Sequence, residues 1–339
     1  MGTDGAIDWC CLPHFDSPSV FAAILDDKKG GTFKIAATGD VVSRQYYHPE
    51  TNVLMTYFAS AEGVALVEDL MPVNGIAPNS GSTHTSMLVR RVTGVRDTSQ
   101  MRLECFPAFD YARMDHTTHE TDTGVVFEPT SGRRLGLAIP VPYARQGTGV
   151  VADFEVAPGQ SVTFVLGEMS SRARRPMVLK EDEARGLVNS TIEYWRRWLS
   201  KCTYRGRWRE MVHRSVLTLK LLTFEPTGAI VAAPTCSLPE AIGGVRNWDY
   251  RFTWMRDAAF TLYAFMRVGL TEEAGHFMEW IQARTSELSP EGTPKIMYRL
   301  DGSHVIEEEN LDNVAAVGRG RCEWATAPII SYNWTSTGS

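Results

Sequence analysis

The segment N-W-D-Y-R-F-T-W-M-R-D-A, residues 247–258, sets four aromatic side chains among two arginine–aspartate pairs, and Gly243-Gly244 lead into it. Aromatic faces with planar, multi-donor groups between them suit a ligand that is flat on its C–H faces and rich in hydroxyls at its rim. A pyranose sugar is such a ligand. Arg256 can donate paired hydrogen bonds to neighbouring hydroxyls and Asp257 can accept them, and charge-assisted bonds of this kind are the stronger ones. The same residues admit a purely architectural reading. Asp257 stands directly before the apolar run Ala258 to Val268, where an aspartate is a favoured helix N-cap. Trp248 and Trp254 can be core, and Arg251 and Arg256 can pair with Asp249 and Asp257 as internal scaffolding. Residue types alone leave both readings open.

The elements that must position this segment fall into two kinds. Residues 1 to about 175 carry short runs rich in β-branched and aromatic residues, separated by turns: 52–59, 63–69, 86–92, 101–106, 124–128 and 161–166. Many strands at short spacing with little helix between them predict an antiparallel β-sandwich. The basic stretch Arg172-Ala173-Arg174-Arg175-Pro176 reads as a linker. Helical spacing begins at Glu181 and runs to Cys202, with Leu187, Ile192, Trp195, Trp198 and Leu199 as its apolar face. Those tryptophans read as core. Further helices are expected from Trp208 to Phe224, from Ala258 to Val268 and from Glu272 to about Thr285, with the loop Pro226 to Gly244 delivering the aromatic segment.

The segment closely resembles the signature that opens the catalytic domain of glycoside hydrolase family 15, which holds glucoamylases, glucodextranases and bacterial trehalases. The first half is similar to a trehalase-like N-terminal domain, on Asp4-Gly5-Ala6-Ile7-Asp8-Trp9 and Phe15-Asp16-Ser17-Pro18-Ser19-Val20-Phe21. Lys295-Ile296-Met297-Tyr298-Arg299-Leu300-Asp301-Gly302 also looks like a family segment. The resemblance implies a multidomain β + α chain: an N-terminal antiparallel β-sandwich followed by the first helices of an (α/α)6 barrel. Its expected divisions are 1–175 for the sandwich, 176–206 for a linker helix, 207–317 for the start of the barrel and 318–339 for a tail. It implies a sugar subsite made by Tyr250, Trp254, Arg256 and Asp257, and a glucose-containing oligosaccharide or disaccharide as partner.

Composition narrows the alternatives. The chain has 339 residues, enough for two domains, with 43% hydrophobic and 22% charged residues and a net charge of −6. That balance argues against nucleic acid, which favours a basic surface. The sequence holds no run of membrane-span length and no basic-then-apolar leader after Met1, so a cytoplasmic protein without membrane attachment is expected. Cys10, Cys11, Cys105, Cys202, Cys236 and Cys322 match neither a disulfide framework nor a zinc site. His116-Thr117-Thr118-His119 lacks a second ligand pair, so no metal is expected. No glycine-rich phosphate loop precedes a helix, and no cofactor is expected. Oligomeric state is left open.

The resemblance implies an inverting mechanism, with one carboxylic acid protonating the glycosidic oxygen and a carboxylate across the ring activating water, at a separation of roughly 6.5–9.5 Å. Both are glutamates placed after the signature on later barrel loops, so no catalytic residue is expected within these 339 residues and the chain by itself is expected to be inactive. Glu307-Glu308-Glu309 reads as a solvated surface. A non-catalytic carbohydrate-binding or structural remnant of the same fold is the competing function. With few barrel helices present, Leu217, Leu221, Phe260, Leu262 and Phe265 are expected to lie partly in water. The tail from about Gly318 reads as translated out of frame. Joining each codon's third base to the next two forces Gly across Trp324–Ala325, Leu across Asn333–Trp334 and Asp across Trp334–Thr335. The shifted string can read V-R-M-G-N-G-A-Y-N-Q-L-Q-L-D-I-Y-G, like a downstream family segment.

Overall fold

The computed structural model describes residues 1–73, 86–236, 238, 247–287, 292–307, 309–311, 313–314 and 326–327. The chain divides into two compact units, Met1–Ser200 and Lys201–Ser339.

The first unit is β-rich and its sheets are antiparallel. A five-stranded sheet runs in the order Ala6–Ile7, Thr32–Ala37, Ser99–Phe106, Gly149–Val156, Ala144–Gln146. An eight-stranded sheet runs His116–Thr121, Gly124–Pro129, Leu135–Ala138, Ser161–Glu168, Met87–Arg96, Val64–Leu70, Leu54–Ala59, Val42–Tyr47. Period-two alternation sends Met101, Leu103 and Cys105 inward while Arg102 and Glu104 between them face out. The inward rows of the two sheets meet in one core: Phe33, Ile35, Leu103 and Val150 from the smaller, Phe58, Val67, Val92, Phe127 and Phe164 from the larger. The runs read from sequence fall on these strands, with bounds shifted by a few residues.

The Glu181–Leu199 helix belongs to this unit. Ala184 and Val188 pack with Leu70, Val89, Ala138 and Val165 of the larger sheet. The buried stripe is Ala184, Val188, Thr191, Trp195, Trp198 and Leu199, while Leu187 and Ile192 lie partly buried beside it. A stripe at helical spacing that includes alanine and threonine is harder to see in a sequence than one made of large apolar residues.

One backbone feature has no sequence signal. Asp110, Tyr111 and Ala112 take left-handed conformations, with φ of 51°, 55° and 62°. Side chains disfavour this region, and neither glycine nor asparagine marks the turn. It is held by Arg113 Nη2 donating to Asp110 Oδ1 at 2.7 Å, by the Arg113 guanidinium over the Tyr111 ring, and by Tyr111 against Trp9.

Among the described residues the second unit contains helices Arg209–Leu221, Met255–Arg267 and Glu272–Ser286 with three short two-stranded pairings. The expected exposure of five side chains is corrected for three of them. Leu217, Leu262 and Phe265 are buried among the helices, whereas Leu221 and Phe260 are 42% and 71% exposed. The residues expected to be an out-of-frame tail, 318–339, lie outside the described residues except for Thr326–Ala327, which pairs with Glu309–Asn310. Glu307 and Glu309 are exposed, and Glu308 lies outside the described residues.

Candidate functional site

The aromatic segment is held from both sides before its helix begins. Ala232 N–H donates to Phe252 O at 3.1 Å and Ala233 N–H to Tyr250 O at 2.8 Å. On the other side Thr253 and Trp254 pair antiparallel with Tyr298 and Met297, and Met255 N–H donates to Ile296 O at 3.0 Å. This pairing starts the helix at Met255, three residues before the position read from the apolar run. Trp254, extended at φ −82° and ψ 121°, occupies the N-cap position.

Asp257 therefore sits in the first turn and not at the N-cap, and the helix has no side-chain cap. The architectural reading of Asp257 loses its main support. A carboxylate in the first turn still gains from the helix dipole. Arg256 Nη2 lies 3.2 Å from Asp257 Oδ2, the arginine 67% and the aspartate 32% exposed. Asp249 and Arg251 behave oppositely. Arg251 donates through Nη2 to Asp249 Oδ2 at 2.7 Å and through Nε to Oδ1 at 3.0 Å, with both side chains withdrawn from solvent. One arginine–aspartate pair is thus scaffolding and the other faces outward, a difference the residue types did not carry.

Trp254 is half-buried, packed on Phe252, Met297 and Ile306, and its indole N–H donates to Asp249 O at 3.0 Å. Its ring meets the half-buried Tyr250 ring at 5.6 Å and 48°. The four expected site residues, Tyr250, Trp254, Arg256 and Asp257, lie within one strand-to-helix junction: the two rings meet at an angle, the Arg256 guanidinium is exposed and the Asp257 carboxylate partly exposed. Such a corner can pack a C–H face and exchange hydrogen bonds with hydroxyls. Trp248 is half-buried and Asn247 buried. The entry residues Gly243-Gly244-Val245-Arg246 lie outside the described residues.

Sequence reading missed what fixes the junction: the Met297–Tyr298 strand, more than forty residues downstream. Its signal was the Lys295–Gly302 segment, but nothing in that segment names its partner. Elsewhere, His119 Nε2 lies 3.2 Å from Glu128 and His116 Nε2 contacts Thr148 O at 3.1 Å. Among the described residues no group of three His, Cys, Asp or Glu side chains is placed to hold a metal ion. The five described cysteines are free, and Cys322 lies outside the described residues. Among the described residues no helix is long and apolar enough to cross a membrane.

Comparison with known proteins gives a consistent picture. The family model of the glycosyl hydrolases family 15 matches residues 206–315, and that of the trehalase-like N-terminal region matches residues 1–188. A trehalase of Thermoplasma acidophilum is 37% identical over 315 residues, covering 92% of this chain and 52% of that protein. A trehalase of Thermoplasma volcanium is 34% identical over 315 residues, covering 92% of this chain and 49% of that protein. The chain spans about half the length of the curated relatives it matches. A bacterial glucoamylase complexed with acarbose superposes with a TM-score of 0.61 at 12% identity, covering 88% of this chain and 49% of that one, a likeness of fold.

Proposed function

This chain belongs to glycosyl hydrolase family 15 and carries a trehalase-like N-terminal domain, and from that premise we propose that it is the N-terminal portion of an enzyme that hydrolyses α-glucosidic bonds. The substrate in this reading is trehalose or a short glucose oligosaccharide, favoured by the relatives that are named trehalases. The observation that supports it is the junction at residues 250–257, which carries two angled rings and, in the first turn of the helix that follows, an outward-facing arginine and a partly exposed aspartate. Trp254 and Tyr250 pack against the C–H faces of a terminal glucose, Arg256 donates to neighbouring hydroxyls and Asp257 accepts from them.

Binding of this kind accelerates a reaction only where it is stronger in the transition state, and oriented hydroxyl contacts tighten as the ring flattens toward an oxocarbenium ion. The acid that protonates the leaving oxygen and the base that activates water on the opposite face are, in this reading, two glutamates of later barrel loops, giving inversion at the anomeric carbon. Residues 207–317 are then the start of an (α/α)6 barrel, and the 339 residues alone release no glucose.

The test joins residues 1–317 to the remaining barrel of a trehalase relative and measures glucose release from trehalose and maltose. Asp257→Ala in that chimera should lower kcat/KM by several kcal/mol equivalent while the protein stays folded. A folded Asp257→Ala chimera with undiminished turnover rejects the subsite. Glucose release by the unjoined 339 residues rejects the assignment of both glutamates to later loops.

A further inference from the structure

The subsite reading gives no task to Asp249 and Arg251, the pair buried directly beneath it. We propose that this pair is a positioning unit: it sets the Trp254 indole, and with it the Tyr250–Trp254 corner, in the orientation the sugar meets. The inference rests on the subsite reading above and adds two residues that do not themselves touch the ligand.

The geometry runs through a single residue. Three donors of Arg251 converge on the Asp249 carboxylate: the main-chain N–H on Oδ1 at 3.0 Å, Nε on Oδ1 at 3.0 Å and Nη2 on Oδ2 at 2.7 Å. With its side chain fixed, Asp249 presents its own carbonyl to Trp254 Nε1–H at 3.0 Å. The indole cannot swivel about its side-chain torsions without giving up that bond. Tyr250 lies between the paired residues in the chain, its carbonyl tied to Ala233 N–H, and its ring contacts Trp254 at 5.6 Å. Tyrosine and tryptophan thus inherit their angle from one buried carboxylate.

Stability is a poor explanation for such a pair. Removing two charges from water costs about as much as their attraction returns, and apolar residues of equal volume often serve as well. A bidentate arginine–carboxylate pair does supply direction, because the planar guanidinium fixes the carboxylate plane. Direction is what a ring at a binding site needs.

The test uses the full 339-residue chain with two variants: Arg251→Lys, which keeps the charge and loses the fork, and the neutral double variant Asp249→Asn/Arg251→Gln, which avoids stranding a buried charge. The Trp254 indole N–H resonance is identified by its loss in Trp254→Phe, and its exchange with solvent is followed well below the melting temperature. Exchange should quicken about tenfold or more in both variants, while the indoles of Trp195 and Trp198 in the N-terminal unit keep their rates. Titration with trehalose and with maltose should show affinity reduced by about tenfold alongside it. Wild-type exchange at Trp254 in both folded variants overturns the proposal. So does faster exchange with sugar affinity unchanged, since the pair is then structural only. If the wild-type chain binds neither sugar and Asp257→Ala changes nothing, the subsite reading falls by itself, and the indole exchange still decides whether the pair positions the rings.

Discussion

Arg90 Nε lies 2.6 Å from Asp69 Oδ1, directly across two neighbouring strands of the larger sheet, with both side chains out of reach of solvent. The same guanidinium donates through Nη1 to Phe33 O and through Nη2 to Gly5 O, each at 2.7 Å, and stands 4.7 Å over the Phe33 ring. Phe33 belongs to the smaller sheet, so one buried side chain ties both sheets and the N-terminal turn together. Gly5, at φ +78°, admits no side chain: a Cβ there would lie 2.1 Å from Ile35 O. Asp69→Ala should therefore destabilise the N-terminal unit by about 3–5 kcal/mol, because it leaves a buried cation uncompensated. Urea unfolding checks this, and a loss below about 1 kcal/mol would contradict it.

The two aspartates of the aromatic segment should separate in a stability assay. Asp249→Ala strands the buried Arg251 and should cost about 3–5 kcal/mol. Asp257→Ala removes a first-turn charge and should cost only about 0.3–1 kcal/mol. Melting curves of the two variants decide it. Equal losses would mean that Asp257 has a structural duty its exposure does not reveal.

Burial holds the His116 imidazole below its ordinary value of 6.5, against the opposing pull of Thr148 O and Asp115. The folded form then binds fewer protons than the unfolded chain in the range just below that value, so stability is complete above it and declines as pH falls toward the folded-state pKa. The ring also meets Phe109 and Phe127 edge-on, at 5.1 Å and 5.8 Å. The urea midpoint of the N-terminal unit should fall more between about pH 7.5 and about pH 5.5 in the wild type than in His116→Gln. Parallel pH profiles would remove His116 as the cause.

A chain cut at residue 175 should behave differently from one cut at residue 200. The shorter piece uncovers Val53, Leu70, Val89 and Val165, which the Glu181–Leu199 helix covers through Ala184 and Val188. Each large apolar side chain left in water forgoes on the order of 1.5–3 kcal/mol, and the patch invites association. Residues 1–200 should give a monomer with one cooperative transition. Residues 1–175 should aggregate or melt without cooperativity, and gel filtration with calorimetry distinguishes the two. A stable, monomeric 1–175 would place the helix outside the folding unit.

Much of this was legible in the residues, because local rules govern it. Period-two alternation in runs such as Met101 to Phe106 marks strands, and the helices read from Glu181 to Cys202, Trp208 to Phe224 and Glu272 to about Thr285 lie within a few residues of those observed. A twelve-residue motif was specific enough to identify its family and to nominate Tyr250, Trp254, Arg256 and Asp257. These signals lie within a few residues of one another, so no knowledge of the rest of the fold is needed to see them.

What the sequence could not decide was which of two like-looking pairs is buried. Asp249 with Arg251 and Arg256 with Asp257 are the same residue types within nine positions, and burial depends on what packs over them. The Met297–Tyr298 strand, distant in the chain, pairs with Thr253–Trp254, moves the helix start to Met255 and takes Asp257 out of the N-cap position. Arg90 presented the same difficulty: a charge at a core-facing position reads as an error until Asp69, Phe33 O and Gly5 O are brought to it by strand pairing. The left-handed turn at 110–112 carries no glycine to announce it. In each case the deciding contact spans tens of residues or depends on a neighbouring strand, and the free energy that selects it exists only once the chain has closed on itself.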